Sequence, residues 1–116
     1  MRADLSRMWL FTSIGFFSVV ADDANPDTVK IRARARTDLA ALRAGYLPDL
    51  EIVESDHTDY RYRAFVLREE WEHAAHALAA DIDYPNFKNA VAERQGFARA
   101  KRYAKVWEIM LGLQRD

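Results

Sequence analysis

Cysteine is absent from this 116-residue sequence, which excludes a disulfide framework, a thiolate zinc site and a cysteine nucleophile, while leaving the redox compartment open. Glycine and proline are scarce, at four and three residues, so a low-complexity or linker-like chain is not expected. No apolar run approaches the roughly 20 residues that a membrane-spanning helix needs. Charge of one sign is not in excess either: 17 Lys+Arg against 18 Asp+Glu give a net charge of -1. A bulk polycation that holds nucleic acid or anionic lipid by net charge alone is therefore ruled out, and any electrostatic function must come from segregation of charge within the fold. Also missing are a GxxxxGK[ST] phosphate loop, a GxSxG nucleophile elbow and an HExxH metal helix. What is plentiful is apolar and aromatic side chain, 50% and 12% of the residues. At this length a single packed domain is expected, of the α+β class.

The apolar run 8–20, MWLFTSIGFFSVV, admits two readings. Arg2 and Arg7 ahead of it, and Val19-Val20-Ala21 at its end, mimic a signal peptide. Asp4 dilutes the positive region, however, and Trp9, Phe11, Phe16, Phe17, Val19 and Val20 suit a buried strand. The strand is preferred, and with it a cytoplasmic protein with no membrane partner. Beyond the turn-forming Asn25-Pro26-Asp27, residues 29–36 alternate strictly. Val29, Ile31, Ala33 and Ala35 fall on one face, and Lys30, Arg32, Arg34 and Arg36 on the other.

Thr37 can cap a short helix over 38–44, stopped by Gly45 and Pro48. Residues 51–54 and 60–66 then read as a hairpin, the second strand placing Tyr60, Tyr62, Ala64 and Val66 opposite Arg61, Arg63 and Phe65. Trp71, Ala74, Ala75, Leu78 and Ile82 mark the apolar stripe of a helix over 69–82. Asp83 can cap a following helix that ends near Gly96, and Tyr103, Val106, Trp107, Met110, Leu111 and Leu113 define a last one over about 98–114. The order ββα, ββα predicts a two-layer arrangement: a four-stranded antiparallel sheet with helices on one face, ferredoxin-like in general architecture, plus C-terminal helices.

Several of these elements together resemble a group of small, uncharacterised bacterial proteins. They are W-L-F from Trp9, G-F-F-S-V-V from Gly15, V-K-I-R-A-R from Val29, D-Y-R-Y-R-A-F-V from Asp59, I-D-Y-P-N-F-K from Ile82 and V-W-E-I-M from Val106. The resemblance covers nearly the whole chain from Met8 on. It implies that residues 1–7 are an N-terminal extension to a single domain over 8–116, and it weighs further against a cleaved leader. It implies no activity and no cofactor.

Three constellations could carry function. The sharpest is the basic stripe Lys30, Arg32, Arg34 and Arg36, joined by Arg61 and Arg63 if both strands show these residues on one sheet face. Guanidinium groups bind phosphate or carboxylate oxygens bidentately, and a sheet bearing cations and aromatics is a recurrent surface for single-stranded nucleic acid. Tyr60 or Tyr62 would stack on bases only if their face is open. The plainer alternative is a solvated face paired with Glu51, Glu54, Asp56 or Asp59. Second, Asp83, Tyr84, Asn86 and Lys88 could surround a small ligand at a helix N-terminus, although capping and packing account for the same residues. Third, Glu69, His73 and His76 share one side of a helix and, with His57, could ligate zinc or iron in an enzyme, although a solvated helix face carries the same residue types. The expectation is a binding protein rather than an enzyme, with nucleic acid or an acidic protein as partner. A regulatory module using helix aromatics around Trp107 is the alternative, and a homodimer is compatible with either.

Overall fold

The computed structural model describes residues 8–116; the N-terminal extension expected at 1–7 lies outside them. The chain forms two compact units, one ending at Ile82 and the other running Asp83–Asp116.

In the first unit the run 8–20 makes not one strand but two. Strand β1 (Met8–Phe11) and strand β2 (Phe16–Ala21) pair antiparallel. The turn between them is built by Thr12, whose hydroxyl donates to the Gly15 carbonyl at 2.7 Å while accepting the N–H groups of Ile14 and Gly15. A single threonine thus replaces the Gly- and Asn-rich chemistry that marks hairpins in sequence. A second turn follows, held by Thr28 donating to the Asp22 carboxylate at 2.6 Å. That bond, with a further one from the Ala24 N–H, holds the Asp22 carboxyl below the usual carboxylate range.

Strand β3 (Thr28–Ala33) pairs with β2 and, on its other side, with β5 (Tyr62–Leu67); the two-residue β4 (Val53–Glu54) flanks β5. The sheet therefore has five strands in the order β1-β2-β3-β5-β4, all antiparallel. This corrects the four-stranded ββαββα expectation: the extra strand comes from the Thr12 turn, which splits the first apolar run.

Helix α1 (Arg36–Gly45) and helix α2 (Arg68–Ala80) both pack on β3 and β5. They cover the face that carries Phe17, Val19, Val29, Ile31, Ala33, Ala64 and Val66, and Leu39, Leu42, Trp71 and Ala74 complete that core from the helices. The strict alternation in β3 is what makes this face continuous, since each apolar residue meets the helices and each cation is turned away. Helix α1 starts from Ala35 with no side-chain cap, so Thr37 does not serve as one.

In the second unit, helix α3 (Phe87–Gln95) packs against helix α4 (Phe97–Leu111), which runs into a 3-10 turn at Gly112–Arg115. Gly96 joins the two helices at φ 95°, in the left-handed region that favours glycine. The capping residue of α3 is Asn86, whose side chain accepts the Asn89 N–H at 2.9 Å, and not Asp83. Helix growth begins two residues beyond Pro85, which leaves Asp83 too far upstream to cap. No helix among the described residues is long and apolar enough to cross a membrane.

Candidate functional site

The sheet face opposite α1 and α2 is set by register. Across one row lie Trp9, Ser18, Arg32, Arg63 and Val53; the next row carries Val20, Lys30 and Phe65. Phe11 and Phe16 extend the face at the β1–β2 turn, and Thr28 and Leu67 close its other end. None of these strand positions holds an aspartate or glutamate, although the chain has 18. The segregation that net charge conceals is therefore present at the level of the fold.

Aromatic rings are interleaved with the cations. Phe11 stacks on Phe16 at 4.4 Å between centroids, and Trp9 meets Phe16 edge-on at 5.8 Å. Tyr60, just ahead of β5, lies 6.5 Å from Phe16, and the guanidinium groups of Arg32 and Arg34 sit over its ring at 4.4 and 4.5 Å. The Lys30 ammonium is 5.7 Å from the Phe65 centroid. Such contacts orient the cationic heads without neutralising them. Arg32 also donates to the buried Ser18 hydroxyl at 2.7 Å, and Arg63 reaches the Tyr60 carbonyl at 3.5 Å.

The expected basic set is thus brought together in part. Lys30, Arg32 and Arg63 share the face turned away from α1 and α2, where all three are half-buried and the Nε of each arginine is out of contact with solvent, and the exposed Arg34 adjoins it just past the end of β3. Arg36 has left the sheet, because the strand stops at Ala33 and Arg36 opens α1. Arg61 precedes β5 and is ion-paired with Glu54 at 3.3 Å and Asp56 at 3.2 Å, partners that raise its already high pKa. For Arg61, then, the solvated and paired alternative is the one that fits.

Neither tyrosine provides a stacking platform. Tyr62 packs against the core on the helix side, and Tyr60 is only 5% exposed beneath its two arginines. The exposed rings are instead Trp9, at 62%, and Phe65, at 49%. The sequence placed Phe65 beside Arg63 through the alternation of β5, whereas Trp9 was hidden in a run that reads as one buried strand.

The remaining constellations separate. Asp83 accepts from Arg94 at 3.1 Å, Tyr84 packs on Phe87 beneath the same arginine, Asn86 caps α3 and Lys88 is exposed. Three of the four residues therefore have structural duties. Glu69 and His73 border a shallow groove of about 390 Å³ with Tyr46, Leu47, Pro48 and Leu50; His76 is not among the residues lining it. Among the described residues no three His, Asp or Glu side chains are grouped so as to hold a metal ion, so Glu69, His73, His76 and His57 do not form the ligand set considered from sequence.

Comparison of the chain with protein-family models, with curated proteins and with solved structures gives no match in any of the three.

Proposed function

We propose that the chain is a binding protein whose sheet face turned away from α1 and α2 takes a phosphate-rich anionic partner. One observation carries this reading: Lys30, Arg32, Arg63 and the adjoining Arg34 stand on or beside a face whose strand positions include no carboxylate, Asp22 bordering it only at the Thr28 end. Cation–π contacts orient guanidinium and ammonium groups without neutralising them, which suits Lys30 and the exposed Arg34 to oxygen-rich anions. Acidic protein segments would meet the same cations through the same bidentate geometry, so an acidic peptide is the competing partner.

The test is fluorescence anisotropy of a labelled single-stranded oligonucleotide over a salt series. Binding at micromolar strength or better in low salt is expected, with log K falling against log salt at a slope of about -0.7 for each phosphate neutralised. An anisotropy that stays flat at low salt with oligonucleotide and with inorganic polyphosphate alike would overturn the reading.

A second reading is favoured by α4. Trp107, Ile109, Met110 and Leu113 are 67%, 76%, 53% and 63% exposed. Ile109, Met110 and Leu113 continue the stripe begun at Val106 at the i, i+3, i+4 and i+7 spacing of one helix face. That surface amounts to roughly 500 Å² per copy, so a two-fold contact with a second copy of this chain would bury about 1,000 Å², the lower end of what a specific dimer needs. Sedimentation equilibrium is expected to give a dimer that Ile109→Glu returns to monomer; a native chain still monomeric at about 0.5 mM would exclude the contact.

A further inference from the structure

The face turned away from α1 and α2 holds more than charge, and its exposed rings narrow the partner. Trp9 projects from β1 and Phe65 from β5, with the Ser18, Arg32 and Lys30 positions of β2 and β3 between them. At about 4.8 Å per strand the two rings stand roughly 15 Å apart. Trp9 uses one edge contact with Phe16 and leaves most of its ring to solvent, and Phe65 is half exposed beside the Lys30 ammonium. Trp9, 62% exposed, does not stand alone but adjoins the stacked Phe11 and Phe16 rings, and clustered apolar surface of this kind marks interaction sites. Two separated π-surfaces with cations between them match a polymer that alternates flat bases with phosphates. They match neither inorganic phosphate nor a peptide of acidic residues alone, which have no rings to stack.

We infer that this face binds single-stranded nucleic acid, with Trp9 and Phe65 as stacking platforms for two bases and Lys30 and the exposed Arg34 as contacts to the intervening phosphates. The inference rests on the phosphate-binding reading above and adds the bases to it. Duplex is disfavoured by the same geometry, because its bases are already stacked and their faces cannot reach the rings.

The deciding experiment compares labelled oligothymidylate, an abasic strand of equal length, a duplex and an oligoglutamate peptide as probes of the full chain. Oligothymidylate is expected to bind at least tenfold more tightly than the abasic strand, and more tightly than duplex. Trp9→Ala and Phe65→Ala should each lower oligothymidylate affinity roughly tenfold while changing abasic-strand affinity by less than about twofold. Trp9→Phe, which keeps a ring, should recover most of the loss and shows that the fold is intact. Equal affinity for oligothymidylate and the abasic strand, or tighter binding of duplex, overturns the stacking inference and leaves phosphate binding standing. Failure to bind either strand overturns both, and binding of oligoglutamate alone assigns the face to an acidic protein.

Discussion

Truncating Asp38 to alanine is expected to lower the free energy of unfolding by about 2–3 kcal/mol, read as a fall in the urea midpoint at constant m-value. Asp38 is a carboxylate only 4% exposed, in the first turn of α1, and it accepts the Phe16 N–H at 3.0 Å from 22 residues away in sequence. The need for that acceptor follows from the ladder. Thr12 and Gly15 make the narrow backbone bond of the hairpin, so at Phe11 and Phe16 the β2 N–H points away from β1. On the other side the pairing of β2 with β3 ends at Ser18 and Arg32, so β3 offers Phe16 no carbonyl. Asp38 fills the gap, and its charge also lies where the α1 N-terminus favours an anion in the absence of a side-chain cap.

Alanine would leave a buried donor unsatisfied, whereas Asp38→Asn keeps an acceptor of the same shape and should cost less than half as much. An alanine variant as stable as the native chain would show that the contact is dispensable. The same site explains Gly15: a Cβ there would lie 2.8 Å from the Asp38 Cβ and Cγ, closer than any real contact, so the hairpin turn and α1 are locked together at a point where only glycine fits.

Periodic features were legible in the sequence, and features set by single tertiary contacts were not. The alternation of Val29, Ile31 and Ala33 with Lys30 and Arg32 placed the central strand and both of its faces, and the stripe of Trp71 and Ala74 placed α2. The hairpin at residues 12–15 was invisible because its turn is closed by one threonine hydroxyl rather than by an Asn-Gly or Gly-Gly pair. The alternation puts Tyr60 on the Tyr62 face only when it is extended two residues ahead of the strand. The chain is not yet in β5 at Tyr60, so its ring lands under Arg32 and Arg34 on the opposite side. Arg36 fell out of the basic stripe for the converse reason, since the apolar pattern of the 38–44 segment pulls the chain into helix before the strand period is complete. Of the candidate site, then, the cations of β3 and β5 could be found from sequence. The exposed rings beside them required knowing that β1 is a separate edge strand.

Reversing two of those cations should have the largest effect on binding. For Lys30→Glu/Arg34→Glu the oligonucleotide affinity at about 50 mM salt is expected to fall on the order of 50-fold, as the loss of two phosphate contacts at about 0.7 counterions each implies. The slope of log K against log salt should also flatten by about 1.4, and the separation between native and variant should close as salt approaches about 1 M, where counterion release no longer favours binding. These two positions are chosen because they are the more dispensable to the fold. Lys30 contacts the exposed Phe65 ring and otherwise acts on the Asp22 carboxylate through its charge, and Arg34 is exposed beyond the end of β3 with its guanidinium over the Tyr60 ring, whereas Arg32 holds the buried Ser18 hydroxyl. Far-UV circular dichroism and the melting temperature should accordingly stay close to those of the native chain. The control is Arg61→Glu, at a position already engaged by Glu54 and Asp56 and off that face; its effect should stay within about threefold and leave the slope nearly unchanged. Were Arg61→Glu to weaken binding as much as the double reversal does, the partner would be responding to net charge rather than to the arrangement of cations on the sheet, and the face would lose its claim to the site.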